Sequence, residues 1–237
     1  MKTNDTSSPA SLDGPLERAV FPEQLRARVV TPGFRPEVHG YDVEDDLARH
    51  YGFVDLLLLS LTGELVEMEV RQAVEVALMF LAPVSVAHAS VHGVVVSRLC
   101  GATTSATIGV SAIGLAEQAR FELTAAEPLL SWLKRAEGPL SAAFRARSPD
   151  ERATVARFLA ALPTRASKHP IFSLDPAPQA ACLAVLYEAG LGRQHQLEAA
   201  LVLARLPTTI AEGLAERPVN FAKYPIHLPP FHYRDPR

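Results

Sequence analysis

His88 and His92 stand four residues apart in a helically patterned stretch, which puts both imidazoles on one face, one turn apart. That spacing suits a pair of metal ligands. No HExxH motif and no nearby carboxylate completes such a site, so no metal is expected. The two read better as core or interface histidines, with acid–base work as the weaker candidate role. Ser90 is no nucleophile for His92, because residues two apart on a helix do not face each other. Asp175 precedes Pro176 and an apolar helical run. It reads as the N-cap of that helix with Pro at its first position, and in a sharper reading as a general base. Two arginines are isolated. Arg98 is the one charge between Val76 and Ala116, and Arg205 sits alone in "AALVLARLPTTIA". A guanidinium in apolar surroundings must meet an anion or reach solvent. For each, the choice lies between a small carboxylate ligand and an internal acid or exposed rim.

The elements that must position these residues are helical almost throughout. Asp42 can cap a helix whose first turn carries Glu44, Asp45 and Asp46, where the backbone dipole favours negative charge. Phe53 to Leu61 is a strongly apolar helix with Gly63 placed to end it. Glu67 to Ala82 has apolar residues at helical spacing until Pro83 breaks it. Val86 to Cys100 and Thr103 to Arg120 are small and apolar, as if two helices pack with close backbones. Helices follow at 125–136, from Pro149-Asp150 to Leu162, from Asp175-Pro176 to Gly190, and from Gln194 to Ala215, where Pro207 is placed to kink or split the last. Val94-Val95-Val96 is too short for a strand and has no hairpin turn beside it. No internal repeat and no alternating period is visible, so the fold class is all-α.

Composition narrows the function classes. The 237 residues hold 23 Lys+Arg against 26 Asp+Glu, a net charge of −3, which gives no electrostatic footprint for nucleic acid. Cys100 and Cys182 lie in apolar runs, with no disulfide scaffold or metal knuckle, so a reducing cytoplasm is expected. Val76 to Ser97 carries no Asp, Glu, Lys or Arg and is long enough to cross a bilayer. Pro83, Ser85, His88, Ser90 and His92 within it argue for a buried core instead, so no membrane is expected. Residues 1–20 are polar and Pro/Ser-rich and read as a disordered lead-in. The end of the chain is Pro-rich and aromatic. His227 and His232, beside Tyr224, Phe231 and Tyr233, read as a tail clamped over a partner subunit.

Three segments in order resemble the citrate synthase and citryl-CoA lyase superfamily: "GYDVEDDLARHYGFVDLLLLSLTGEL" at 40–65, "PVSVAHASVHGVVVSRLCGATTSATIGVSAIG" at 83–114 and "LYEAGLGRQHQLEAALVLARLPTTIAEGLAERP" at 186–218. The resemblance implies an all-helical dimer with a large domain and a small domain that closes over substrate. It implies chemistry that joins or splits an acyl-CoA and a 2-oxo acid. An aspartate base, an enol-stabilising histidine, a ketone-polarising histidine and carboxylate-holding arginines would carry that chemistry. Here the matching positions depart. The enol position falls on Phe121 or, through "GPLSAAF", on Ser141; the ketone position falls near Ser85; the base position falls on Gln179. The segment between the second and third matches is also shorter than the family's. Arg205 matches the family's carboxylate-binding arginine, and Arg217 is a second such candidate.

The resemblance therefore implies large-domain helices over 21–124, a reduced small-domain segment over 125–180, and C-terminal large-domain helices with the Pro-rich tail over 181–237. Two functions are expected. One is a dimeric scaffold, or a binder of a polycarboxylate or CoA ester, without the standard His/His/Asp set. It would be a homodimer or the partner of a complete citrate-synthase-like paralogue. The other is an acyltransferase or lyase on a CoA thioester, with Asp175, His88 or His92 in altered roles. No cofactor is expected beyond CoA itself as substrate or ligand.

Overall fold

The computed structural model describes residues 26–135 and 137–218. The lead-in at 1–20 and the tail with His227 and His232 lie outside the described residues. Three two-residue strands open the described chain as an antiparallel meander: β1 (Val30–Thr31), β2 (Glu37–Val38) and β3 (Tyr41–Asp42), in that order. His39 and Gly40, with φ of 49° and 84°, make the tight turn between β2 and β3. Strands this short show no alternating period, so the sheet was not legible in the sequence.

Asp42 then starts a π-helical turn, Val43–Leu47, that runs into α1 (Ala48–His50). Its carboxylate accepts from the backbone N–H of Glu44 at 2.8 Å and of Asp45 at 2.7 Å, which holds the carboxyl below its ordinary range. Helix α2 (Phe53–Thr62) starts where the buried Asp55 accepts from Gly52 N–H at 2.7 Å, and it ends at Gly63 with φ 83°. There follow α3 (Met68–Leu81), α4 (Ala89–Leu99), α5 (Thr104–Ala125), α6 (Glu127–Arg135), α7 (Pro149–Ala161), α8 (Pro178–Glu188) and α9 (Gln194–Ala215). The charge-free run Val76 to Ser97 is thus split between α3 and α4. No helix of the described residues is long and apolar enough to cross a membrane.

Helix α8 is the centre of the core. Every residue from Ala180 to Leu186 is buried, so this helix has no solvent face. Helices α3, α7 and α9 pack around it, and α4, α5 and α9 form a second, tightly packed group. Small residues permit the close approach. A Cβ on Gly213 of α9 would sit 2.6 Å from a Val94 methyl on α4 and 3.1 Å from a Thr107 methyl on α5. A Cβ on Gly114 of α5 would sit 3.4 Å from the Ser90 backbone of α4. Pro207 lies inside α9, which runs on as one helix. The bond it forfeits would have gone to the carbonyl of Leu203, an exposed residue.

One expectation is corrected here. The helix after Asp175 begins at Pro178 with Ala177 at its N-cap, so Asp175 is not the cap. Backbone pairing of Pro176 with Arg145 keeps the chain out of the helix until Pro178: Ala146 N–H donates to Asp175 O at 2.9 Å and Ala177 N–H to Phe144 O at 2.7 Å. Asp175 instead ends a 3-10 turn, Pro170–Leu174, in the left-handed region at φ 54°. Its carboxylate pairs with Arg152 Nε at 2.8 Å on the surface.

The same turn starts at His169, whose Nδ1 accepts from Ile171 N–H at 3.2 Å and whose Nε2 lies 3.4 Å from Glu188. Burial lowers its pKa, and Glu188 opposes that in part. A histidine held neutral stabilises the fold above its unfolded pKa near 6.5 and loses that contribution as pH falls through the lower folded value. Melting temperature should therefore fall between pH 7.5 and 5. His169→Asn, which keeps an acceptor at the cap without titrating, should flatten the fall; an unchanged slope in that variant would assign it to other groups.

Candidate functional site

A cavity of about 370 Å³ opens where the end of α3, the 83–88 segment, α5, the start of α8 and α9 meet. Ser85, Gln179 and Arg205, far apart in sequence, all line it, and His88 lies at its wall. The other candidates do not reach it. His92 is exposed on α4, and Arg217 is exposed beyond the end of α9. Phe121 is 77% exposed and points away from the core, and Ser141 is exposed in a loop. Arg98 closes the C-terminal end of α4: its Nη1 donates to Ala102 O at 2.8 Å, while its Nε is buried without a partner.

The anion that Arg205 requires comes from the chain. Glu122 of α5 meets the guanidinium bidentately, Nη1 to Oε1 at 3.1 Å and Nη2 to Oε2 at 2.8 Å. The arginine side chain is only 7% exposed and the glutamate 18%, so the pair is largely desolvated. Two amides complete the carboxylate. Gln118 Nε2 donates to Oε1 at 2.7 Å and Gln179 Nε2 to Oε2 at 2.7 Å. The Ser90 hydroxyl of α4 donates to Gln118 in turn. One carboxylate thus collects four N–H donors from three helices, and all four participating side chains line the cavity.

Glu122 and Gln118 belong to no motif in the sequence. Their signal was available: they lie four apart on α5, one position ahead of the buried stripe Leu115, Ala119 and Leu123, where an acid should not go unpaired. Cys182 also lines the cavity, but burial pushes its thiol up to about 12, so it offers no thiolate. Among the described residues, no three His, Cys, Asp or Glu side chains gather as a metal site would require.

No protein-family model and no curated protein sequence matches this chain. Solved structures do. A citryl-CoA lyase from Hydrogenobacter thermophilus matches with a TM-score of 0.60 at 14% identity, over 89% of this chain and 96% of that one. The fold is citrate-synthase-like. ATP citrate lyase from Methanothrix soehngenii, solved with citrate and coenzyme A, matches with a TM-score of 0.57 at 12% identity, over 97% of this chain and 47% of that one. An aspartate-to-alanine variant of the Methanosaeta concilii ATP citrate lyase, solved with (3S)-citryl-CoA, matches with a TM-score of 0.56 at 12% identity and the same coverage. The chain spans about half the length of those two ATP citrate lyases.

Coverage changes the weight of one expectation. The match to the citryl-CoA lyase runs over nearly the whole of that chain, so its fold is completed in a chain of similar length.

A second cavity of about 410 Å³ lies between α3 and the far end of α8. Val70, Ala73, Val185 and Ala189 line it, with His169 at its wall and Lys168 and Arg165 beside it. Arg165 is already paired with Glu67 at 2.7 Å.

The buried pair makes its own prediction. Removing one partner of a desolvated ion pair leaves the other uncompensated, which typically costs about 3–5 kcal/mol, whereas an apolar replacement of both is often near neutral. Glu122→Ala should therefore destabilise the chain strongly in chemical denaturation, and Glu122→Leu combined with Arg205→Met should recover most of the loss. Additive losses in the double variant would show that the two side chains do not act as a pair.

Proposed function

We propose that this chain is a non-catalytic, citrate-synthase-like scaffold that works as a homodimer. The observation that carries this reading is the state of Glu122, the one carboxylate lining the cavity among the described residues. Its two oxygens already accept four N–H groups, which leaves no acceptor free to take a proton from a substrate carbon. The residue at the resemblance's base position, Gln179, is one of those donors and cannot act as a base. Ser85 supplies a hydroxyl where an imidazole would polarise a ketone. The two free cysteines, Cys100 and Cys182, fit a reducing cytoplasm.

A second reading keeps an altered acyl-CoA lyase or acyltransferase, because His88 and Glu122 share the cavity wall. The two separate by assay. Purified protein is incubated with acetyl-CoA and oxaloacetate, or with citryl-CoA, and free thiol or acetyl-CoA release is followed. Neither reaction should exceed the heat-inactivated control. Turnover that Glu122→Gln or His88→Ala abolishes would replace the scaffold reading with the enzyme.

Support for the homodimer comes from α5. Its buried stripe faces the core, yet Ile113 is 69% exposed and Phe121 77% exposed on its outer side, with Ile108 and Val110 between a third and a half exposed. A helix apolar on both faces wants a second partner surface. Light scattering at micromolar concentration should give a dimer, and Ile113→Glu should shift it to monomer. A wild-type monomer would favour a heteromer with a complete paralogue.

A further inference from the structure

We infer that Arg205, Gln118 and Gln179 form a receptor for one carboxylate group, and that the chain closes this receptor with its own Glu122. The inference rests on the reading of the cavity as non-catalytic and says what keeps it so. A buried ion pair of one arginine and one acid leaves further acceptor directions on the carboxylate to be filled. Here four N–H donors on α5, α8 and α9 converge on both oxygens of a single carboxylate, and every donor belongs to a side chain lining an open cavity. Glu122 itself lines the cavity and its side chain retains 18% exposure. The ligand class follows from the donor set: a planar, singly charged carboxylate that accepts from a guanidinium fork and two amides.

In the wild type that class is excluded by mass action. Glu122 is tethered on α5, so it competes at an effective concentration on the order of millimolar or above. Citrate, oxaloacetate or acetate from solution must displace it and leave it buried without donors. Glu122 therefore acts as an autoinhibitory contact. Removing it should open the receptor. Glu122→Ala deletes Cγ and the carboxylate, which together are the heavy atoms of acetate. Acetate should refill that volume and restore all four hydrogen bonds.

The test is a thermal scan of Glu122→Ala in sodium acetate and in sodium chloride of equal ionic strength. At about 100 times the dissociation constant, acetate should raise the melting temperature by about 5–10 °C. Acetamide should give no rise, wild type should not respond, and Glu122→Ala with Gln179→Ala should respond less. A rise that chloride or acetamide matches, or none at all, overturns the receptor and leaves only a structural ion pair. If the alanine variant is insoluble in chloride, recovery of folded protein from acetate buffer supports the inference. Glu122→Ser, which keeps an acceptor for Gln118, is scanned with formate as the second variant. Failure of both variants to fold or respond in carboxylate overturns it too. Thiol release by the wild type would end the non-catalytic reading and leave the rescue result standing, so the two failures are told apart.

Discussion

A guanidinium placed on an apolar face of α9 cannot be left alone, and much of the surrounding architecture answers to it. Taking Arg205 out of water is costly unless an anion meets it with good geometry. That anion is Glu122 on α5, so the two 22-residue helices are held in one register by a bidentate contact. The carboxylate in turn needs its remaining acceptor directions filled. Gln118 does this from one turn back on α5, and Gln179 from the first turn of α8. Ser90 ties the Gln118 carbonyl to α4. A single buried charge thus recruits polar groups from four helices, each satisfying the next.

Such a network bears directly on what the cavity can do chemically. Catalysis at a carbon acid requires a base with a free lone pair and a group to meet developing negative charge. Glu122 has spent its lone pairs on fixed donors, and the guanidinium that could have met a substrate's charge faces Glu122 instead. Structure and reactivity compete for the same two side chains. In this structure both side chains are engaged with each other at the wall of the cavity.

The helices were legible in the sequence because they rest on local signals. Gly63 and Asp42 act where their residue types say they should, and α3 and α9 match their apolar periods within two residues. Asp175 misled because its signal was local and the deciding interaction was not. Pairing of 175–177 with 144–146 keeps the chain out of the helix until Pro178, and nothing in "LDPAPQ" records a partner thirty residues away. The small sheet failed for the opposite reason, since two-residue strands carry no period. At the site, Ser85, Gln179 and Arg205 line one cavity, and the anion that meets the isolated arginine is an internal acid, one of the two alternatives the sequence left open. The position of Glu122 beside the buried stripe of α5 marked it as an acid in need of a partner, but "EQARFEL" does not record that α9 brings Arg205 to it.

Packing distance decides whether such a network can form at all. The polar side chains that meet are short or medium in length, and a serine hydroxyl on α4 reaches a glutamine on α5 only if the two backbones nearly touch. Gly114 provides this: a Cβ there would already lie 3.4 Å from the Ser90 backbone, so a side chain much larger than alanine would press α4 away from the Ser90–Gln118 contact. Gly213 does the same for α9 against Val94 and Thr107. The small-residue runs at 86–114, which look featureless as chemistry, therefore set the spacing on which the charged centre depends. Loss of helical propensity at these glycines, about 1 kcal/mol each relative to alanine, is offset by close packing of three helices around an ion pair whose two Nη groups are paired while the Arg205 Nε is buried without a partner.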